Sequence, residues 1–147
     1  MKNLLAIDFG LRWVGLAFGD WEKNYIYGYK TIAVSSLNKL IKEIKKIVEE
    51  KNIDQIIIGD PKSLEGKETE RARLVKRFKE KLEKLVSCRI VLFDERFTTD
   101  LAKRIIFPED FKRTKIKRKE SIKKDINLLS AILLLESYFK YEKGKEN

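Results

Sequence analysis

Histidine is absent from the 147 residues, and cysteine occurs once, at Cys88. The first absence excludes Ser-His-Asp and Cys-His catalysis and any imidazole-ligated metal. The second excludes an internal disulfide and cysteine-rich zinc sites, and leaves Cys88 as a small apolar residue buried just ahead of a strand. Acid–base or metal chemistry is left to carboxylates, lysine, tyrosine and water. No run of about 18 apolar residues occurs, so no transmembrane helix is expected. Met1-Lys2-Asn3 leads at once into a strand-like run too short for the core of a secretion signal, so the expected location is cytoplasmic.

Charge is plentiful. There are 33 basic and 23 acidic side chains, a net charge of +10. Such a balance favours an anionic partner, nucleic acid first. Abundant Lys, Glu and Ile with a single glutamine, Gln55, also resembles the composition of thermophile proteins, in which part of the charge serves stability. The length suits one domain spanning 1–147, large enough to bury a core.

Asn3 to Phe9 reads as a strand buried on both faces. Gly10 to Trp13 is a turn, and Val14 to Phe18 alternates as a paired strand does. Asp20 to Asn24 is a second turn and Tyr25 to Val34 a third strand. Ser35 or Ser36 caps a helix whose apolar residues Leu37, Leu40, Ile41, Ile44, Ile47 and Val48 recur at helical spacing. Ile53 to Gly59 is a short β-branched strand. Gly66 to Leu85 is a second amphipathic helix, with Leu74, Val75, Phe78, Leu82 and Leu85 on one side. Arg89 to Phe93 is the fifth strand, and Thr98 or Thr99 caps a short helix to about Ile105. Between Phe107 and Lys124 eight basic residues stand against three acids, and the stretch reads as a basic loop. A final apolar helix runs from Ile126 to Tyr141, with Asp125 as its cap.

Three antiparallel strands followed by two parallel strands with crossover helices predict an α/β fold. The expected architecture is ribonuclease H-like: a five-stranded mixed sheet flanked by helices, with the first strand central beside the fourth. Actin-like ATPase domains share this outline. They need a second phosphate loop and a second lobe, for which 147 residues leave no room.

Asp8 ends the first apolar run, and Asp94-Glu95-Arg96 follows the apolar run Arg89 to Phe93. Two buried strands that each deliver an acid at the carboxyl end can build a magnesium site. A charge ending a buried strand is costly unless it is paired or metal-bound, although an aspartate before Gly10 also suits a turn. Side chains alternate on a strand, so only one of Asp94 and Glu95 can face Asp8, and Glu95 is the choice. A third ligand is due from the last helix. Asp125 and Glu136 are the acids there, and Asp125 suits either ligation or capping through the helix dipole.

Several blocks resemble one family. Asp8-Phe9-Gly10-Leu11-Arg12-Trp13-Val14-Gly15 and onward to Asp20 is similar to the opening motif of the YqgF/RuvX family, Holliday-junction-resolvase-like candidates for pre-16S rRNA nucleases. Gly59-Asp60-Pro61, Glu65-Gly66-Lys67-Glu68 and Arg71-Ala72 follow its second motif. Asp94-Glu95-Arg96-Phe97-Thr98-Thr99 resembles its third, and Leu129 to Tyr138 its last helix. The sequence departs from the family pattern at Asn127, where an aspartate is usual, at Trp13, where a basic residue is usual, and at Asp60, where leucine is common.

The resemblance implies a metal-dependent endonuclease that processes the 5′ end of pre-16S rRNA in ribosome biogenesis. The alternatives are a Holliday-junction-type DNA resolvase, and a catalytically weak nucleic-acid-binding protein of the same fold. The implied cofactor is Mg²⁺ or Mn²⁺, and the implied partner is structured rRNA precursor or branched DNA. Asp8, Glu95 and Asp125 are the implied catalytic residues, and Asp8, Glu95 and Asn127 the implied metal ligands. Arg12, Lys62, Arg71, Arg96 and Thr98 are placed to contact phosphates, and the basic loop would extend the footprint.

Overall fold

Leu4, Leu5, Ala6 and Ile7 are all fully buried, because the strand that carries them, β1 (Asn3–Phe9), is covered on both faces. The computed structural model describes residues 2–61, 69–94 and 119–145. Four more strands complete the sheet: β2 (Trp13–Asp20), β3 (Tyr25–Ala33), β4 (Gln55–Asp60) and β5 (Arg89–Asp94). Their order is β3-β2-β1-β4-β5. β1 pairs antiparallel with β2, and β2 with β3; β1 pairs parallel with β4, and β4 with β5. This is the mixed sheet expected from the sequence, with β1 central beside β4.

Alternation sorts the side chains of the sheet between two layers. Leu5, Ile7 and Phe9 face one core, filled by Leu40, Ile41 and Ile44 of α1 (Leu37–Glu50) and by Val75, Phe78 and Leu82 of α2 (Glu70–Glu83). Phe78 is fully buried and packs on Phe9 with ring centroids 5.1 Å apart, so its truncation to alanine would cost about 3–5 kcal/mol. Leu4, Ala6, Ala17 and Ile57 face the other core, closed by Ala131, Leu134, Leu135, Tyr138 and Phe139 of α3 (Lys119–Gly144).

The helix ends follow local chemistry. Ser36 caps α1, its hydroxyl accepting from the Lys39 amide, and Thr69 caps α2 in the same way through Ala72. α1 ends where Asn52 turns into the left-handed region at φ 51°, a conformation asparagine tolerates. Leu85, expected on the buried side of the second helix, lies beyond it and is exposed. Cys88 is partly buried before β5, and desolvation pushes its thiol pKa up.

The start of α3 is a correction. The helix begins at Lys119, so the last part of the expected basic loop is helical and Asp125 lies inside the helix instead of capping it. Apolar periodicity alone put the start at Ile126 because residues 119–125 carry a single apolar side chain, Ile122, among lysines, serine and acids, while the backbone continues the helix through them. The short helix expected at 98–105 and the rest of the basic stretch, 107–118, lie outside the described residues. Among the described residues no helix is long and apolar enough to cross a membrane.

Candidate active site

Asp8 is 3% exposed. It sits near the carboxyl end of the central strand, opposite Gly15 of β2. Leu4, Ala6 and Asp8 alternate onto one face, so the carboxylate points to the side of the sheet that α3 covers. The turn after β1 is closed by the Gly10 amide, which donates to the Trp13 carbonyl at 3.0 Å. A second bond, from the Val34 amide to the Arg12 carbonyl at 2.8 Å, ties the turn to the end of β3.

Arg71 arrives from the other layer. It stands in the first turn of α2, and its Nε donates to the Phe9 carbonyl at 2.8 Å. Its Nη2 lies 3.4 Å from Asp8 Oδ1. Sequence reasoning assigned Arg71 to substrate phosphate; the structure sets its guanidinium against the central carboxylate. Only the fold joins these residues, which are 63 positions apart.

Asn127 belongs to α3 and meets the same end of the sheet. Its Nδ2 donates to the Trp13 carbonyl at 2.9 Å. A Cβ on Gly10 would lie 2.6 Å from that nitrogen, and a Cβ on Gly15 would lie 2.0 Å from the Asn127 carbonyl oxygen. The two glycines are thus a seat for this part of the helix. Asp125 is helical and exposed. Two residues from Asn127 on a helix means a rotation of about 200°, so the structure turns Asp125 away from the seat in which Asn127 lies. Glu136 is also exposed.

Lys124 lies one turn before Asn127, and its Nζ stands 4.7 Å from the centre of the Trp13 ring. The Trp13 indole is therefore itself the seat of a cation. Sequence reasoning missed this pair, since nothing in the local pattern links position 13 to position 124.

On β5, Val91 and Phe93 pack toward the α3 layer and Ile90 toward the α1–α2 layer. Alternation therefore sets Asp94 on the face opposite Asp8, beside Asp60, with which it is in register. Arg12 is exposed in the turn after β1. Glu95, Arg96, Thr98 and Lys62 lie outside the described residues.

The donors that this end of the sheet offers are oxygens: the Asp8 carboxylate, and the amide oxygen of Asn127, whose nitrogen is committed to Trp13. Magnesium takes oxygen ligands, needs only one or two carboxylates, and completes its shell with water and substrate phosphate. The donor chemistry fits Mg²⁺ or Mn²⁺, with Asp8 as the carboxylate among the described residues. No group of three or more His, Cys, Asp or Glu side chains stands together among those residues.

Comparison with known proteins places the chain in a family. Residues 2–141 match the model of the RuvX family, described as Holliday junction resolvase. A relative from Thermoanaerobacter pseudethanolicus, named "Putative pre-16S rRNA nuclease", is 35% identical over 143 residues, covering 97% of this chain and 99% of its own. One of the same name from Carboxydothermus hydrogenoformans is 34% identical over 140 residues, covering 95% and 97%. Among solved structures, the fowlpox virus Holliday junction resolvase superposes with a TM-score of 0.58 at 11% identity, covering 95% of this chain and 99% of its own. T. thermophilus RuvC in complex with Holliday junction substrate gives 0.55 at 10% identity, covering 98% and 97%. At these identities the likeness is one of fold, the ribonuclease H-like class read from the sequence.

Proposed function

The chain belongs to the RuvX family, and on that premise we propose that it is a metal-dependent endonuclease acting on pre-16S rRNA, at the 5′ end of the small-subunit RNA. The observation that carries the reading is Asp8: a buried carboxylate near the end of the central strand, with the Arg71 guanidinium beside it and Asn127 of α3 seated at the same end of the sheet on Trp13 and Gly15.

Asp8 and Glu95 would hold the ion, helped by the amide oxygen of Asn127. When bound, Mg²⁺ or Mn²⁺ supplies water activation and stabilises the leaving oxygen of an in-line displacement. The chain's own residues do the rest. Burial and the hairpin turn hold Asp8 in one place. The Trp13 carbonyl fixes the Asn127 amide so that its oxygen is the end left for ligation. Arg12, Lys62, Arg96 and Thr98 contact phosphates and set the register of the substrate, with Lys124 and the basic stretch before it widening the footprint. Asp125 is helical and exposed and is assigned no catalytic step.

Branched DNA is the second substrate reading, supported by the family description and by resolases of the same fold. A binding protein that cuts poorly is the third, supported by the neutral Asn127. One experiment separates them. Wild type and Asp8→Asn are assayed on a pre-16S 5′ leader and on a four-way DNA junction, with Mg²⁺ and with chelator. The expected result is Mg²⁺-dependent cleavage of the RNA that falls by about a thousandfold or more in Asp8→Asn, with affinity unchanged. Cleavage of the junction alone moves the substrate to DNA. Binding without cutting leaves a nucleic-acid-binding protein.

A further inference from the structure

We propose that Arg71 is the resident counter-ion of Asp8, and that a divalent ion must compete with its guanidinium to load. The inference rests on the metal-dependent reading above and adds to it a residue that controls loading.

Asp8 is almost wholly buried, and a buried carboxylate without a cationic partner is strongly unfavourable. Arg71 supplies positive charge at 3.4 Å. That contact is long for a charge-assisted hydrogen bond, whose usual range is about 2.7–2.9 Å. A firmer contact runs from Nε to the Phe9 carbonyl at 2.8 Å. Anchor and charge contact therefore use different nitrogens. The arm is tethered to the backbone of the residue after Asp8, and Nη2 can leave the carboxylate without the tether breaking. The Arg71 side chain is also the partner with access to solvent, 32% exposed against 4% for Asp8.

Position argues for a purpose. Arg71 stands in the first turn of α2, where the helix dipole disfavours a cation. Charge in that place is better explained by the carboxylate it faces than by the helix it begins. A divalent ion at Asp8 would add two positive charges beside the guanidinium, so the two cations oppose each other. Their opposition is a competition for one carboxylate.

The test uses Mn²⁺ alone, without nucleic acid. Its affinity is measured by calorimetry for wild type, Arg71→Gln, Asp8→Asn and the double variant, beside the melting temperature of each metal-free protein. Removing a unit charge from this position should tighten Mn²⁺ binding by about tenfold, even under water-like screening. Metal-free Arg71→Gln should melt lower than wild type and gain more from Mn²⁺. In the Asp8→Asn background the same substitution should do neither. Unchanged or weaker Mn²⁺ binding in Arg71→Gln overturns the proposal, as does an equal effect in both backgrounds. If Arg71→Gln does not fold without metal, folding of the double variant supports the pairing, and failure of both shows that Arg71 acts through packing. A wild type that binds no Mn²⁺ removes the metal-dependent reading and this inference together, whereas binding that ignores Arg71 removes only the latter.

Discussion

Gly15 lies opposite Asp8 in the β1–β2 ladder, and directly beneath the backbone of Asn127, whose carbonyl oxygen would be 2.0 Å from an added Cβ. One position thus sets both the strand that carries the acid and the depth at which α3 rests. Ser130 and Ala131, fully buried one turn further along α3, keep this end of the helix slim, while Leu134, Leu135, Tyr138 and Phe139 fill the wider space beyond.

Gly15→Ala is expected to be destabilising out of proportion to one methyl group. The atoms it would meet are helix backbone, Asn127 and Leu128, which cannot rotate aside. Overpacking of this kind costs about 1–3 kcal/mol. Urea denaturation of the variant measures it, and wild-type stability would show that α3 can lift off the sheet freely.

Asn127→Asp is expected to act in two directions. The carboxylate cannot donate to the Trp13 carbonyl, which now accepts from Asn127 at 2.9 Å and from the Gly10 amide at 3.0 Å, and the loss of one of these two bonds costs about 0.5–1.5 kcal/mol. The metal-free variant should therefore be less stable, and the added negative charge should make Mn²⁺ bind more tightly and restore the loss. Melting curves with and without Mn²⁺ test this; a variant as stable as wild type without metal would mean that the Trp13 bond contributes little.

Asp54 should make part of the stability depend on pH. Its carboxylate accepts from the Asn3 amide at 2.8 Å and the Lys2 amide at 3.0 Å, and these bonds, Asn3 first, hold its pKa below the ordinary 3.8. A folded-state pKa below the unfolded one stabilises the protein above the unfolded value, and the contribution is lost as pH falls through the folded value. Asp54→Ala should melt below wild type at neutral pH, with the gap closing as pH drops below 3.8. A gap that stays constant to acid pH would assign the effect to packing at the start of β1.

Much of this was legible in the chain itself. The continuous apolar run of β1 announced a central strand, the 3.6-residue period announced α1 and α2, and the antiparallel-then-parallel order followed from connection lengths. Asp8 stood out because a carboxylate at the end of such a run needs a reason. The site was less legible where its contacts join distant positions. Arg71 reads as one more basic residue near a motif until α2 is laid across the end of β1. The start of α3 was misread because a helix can continue through a stretch whose sequence has no apolar period, and that error made Asp125 a cap when it is an exposed helical residue.

Sequence by itself determined the character of each element and the chemistry on offer: no imidazole, one thiol, and an acid closing the first strand, since these depend only on residue types and their spacing. Tertiary structure decided which of those groups meet. Arg71 reaches Asp8, and Asn127 locks onto Trp13, because helices packed on opposite faces of the sheet converge at one end of it, where Gly15 lets strand backbone lie against helix backbone and Gly10 leaves room for the Asn127 side chain.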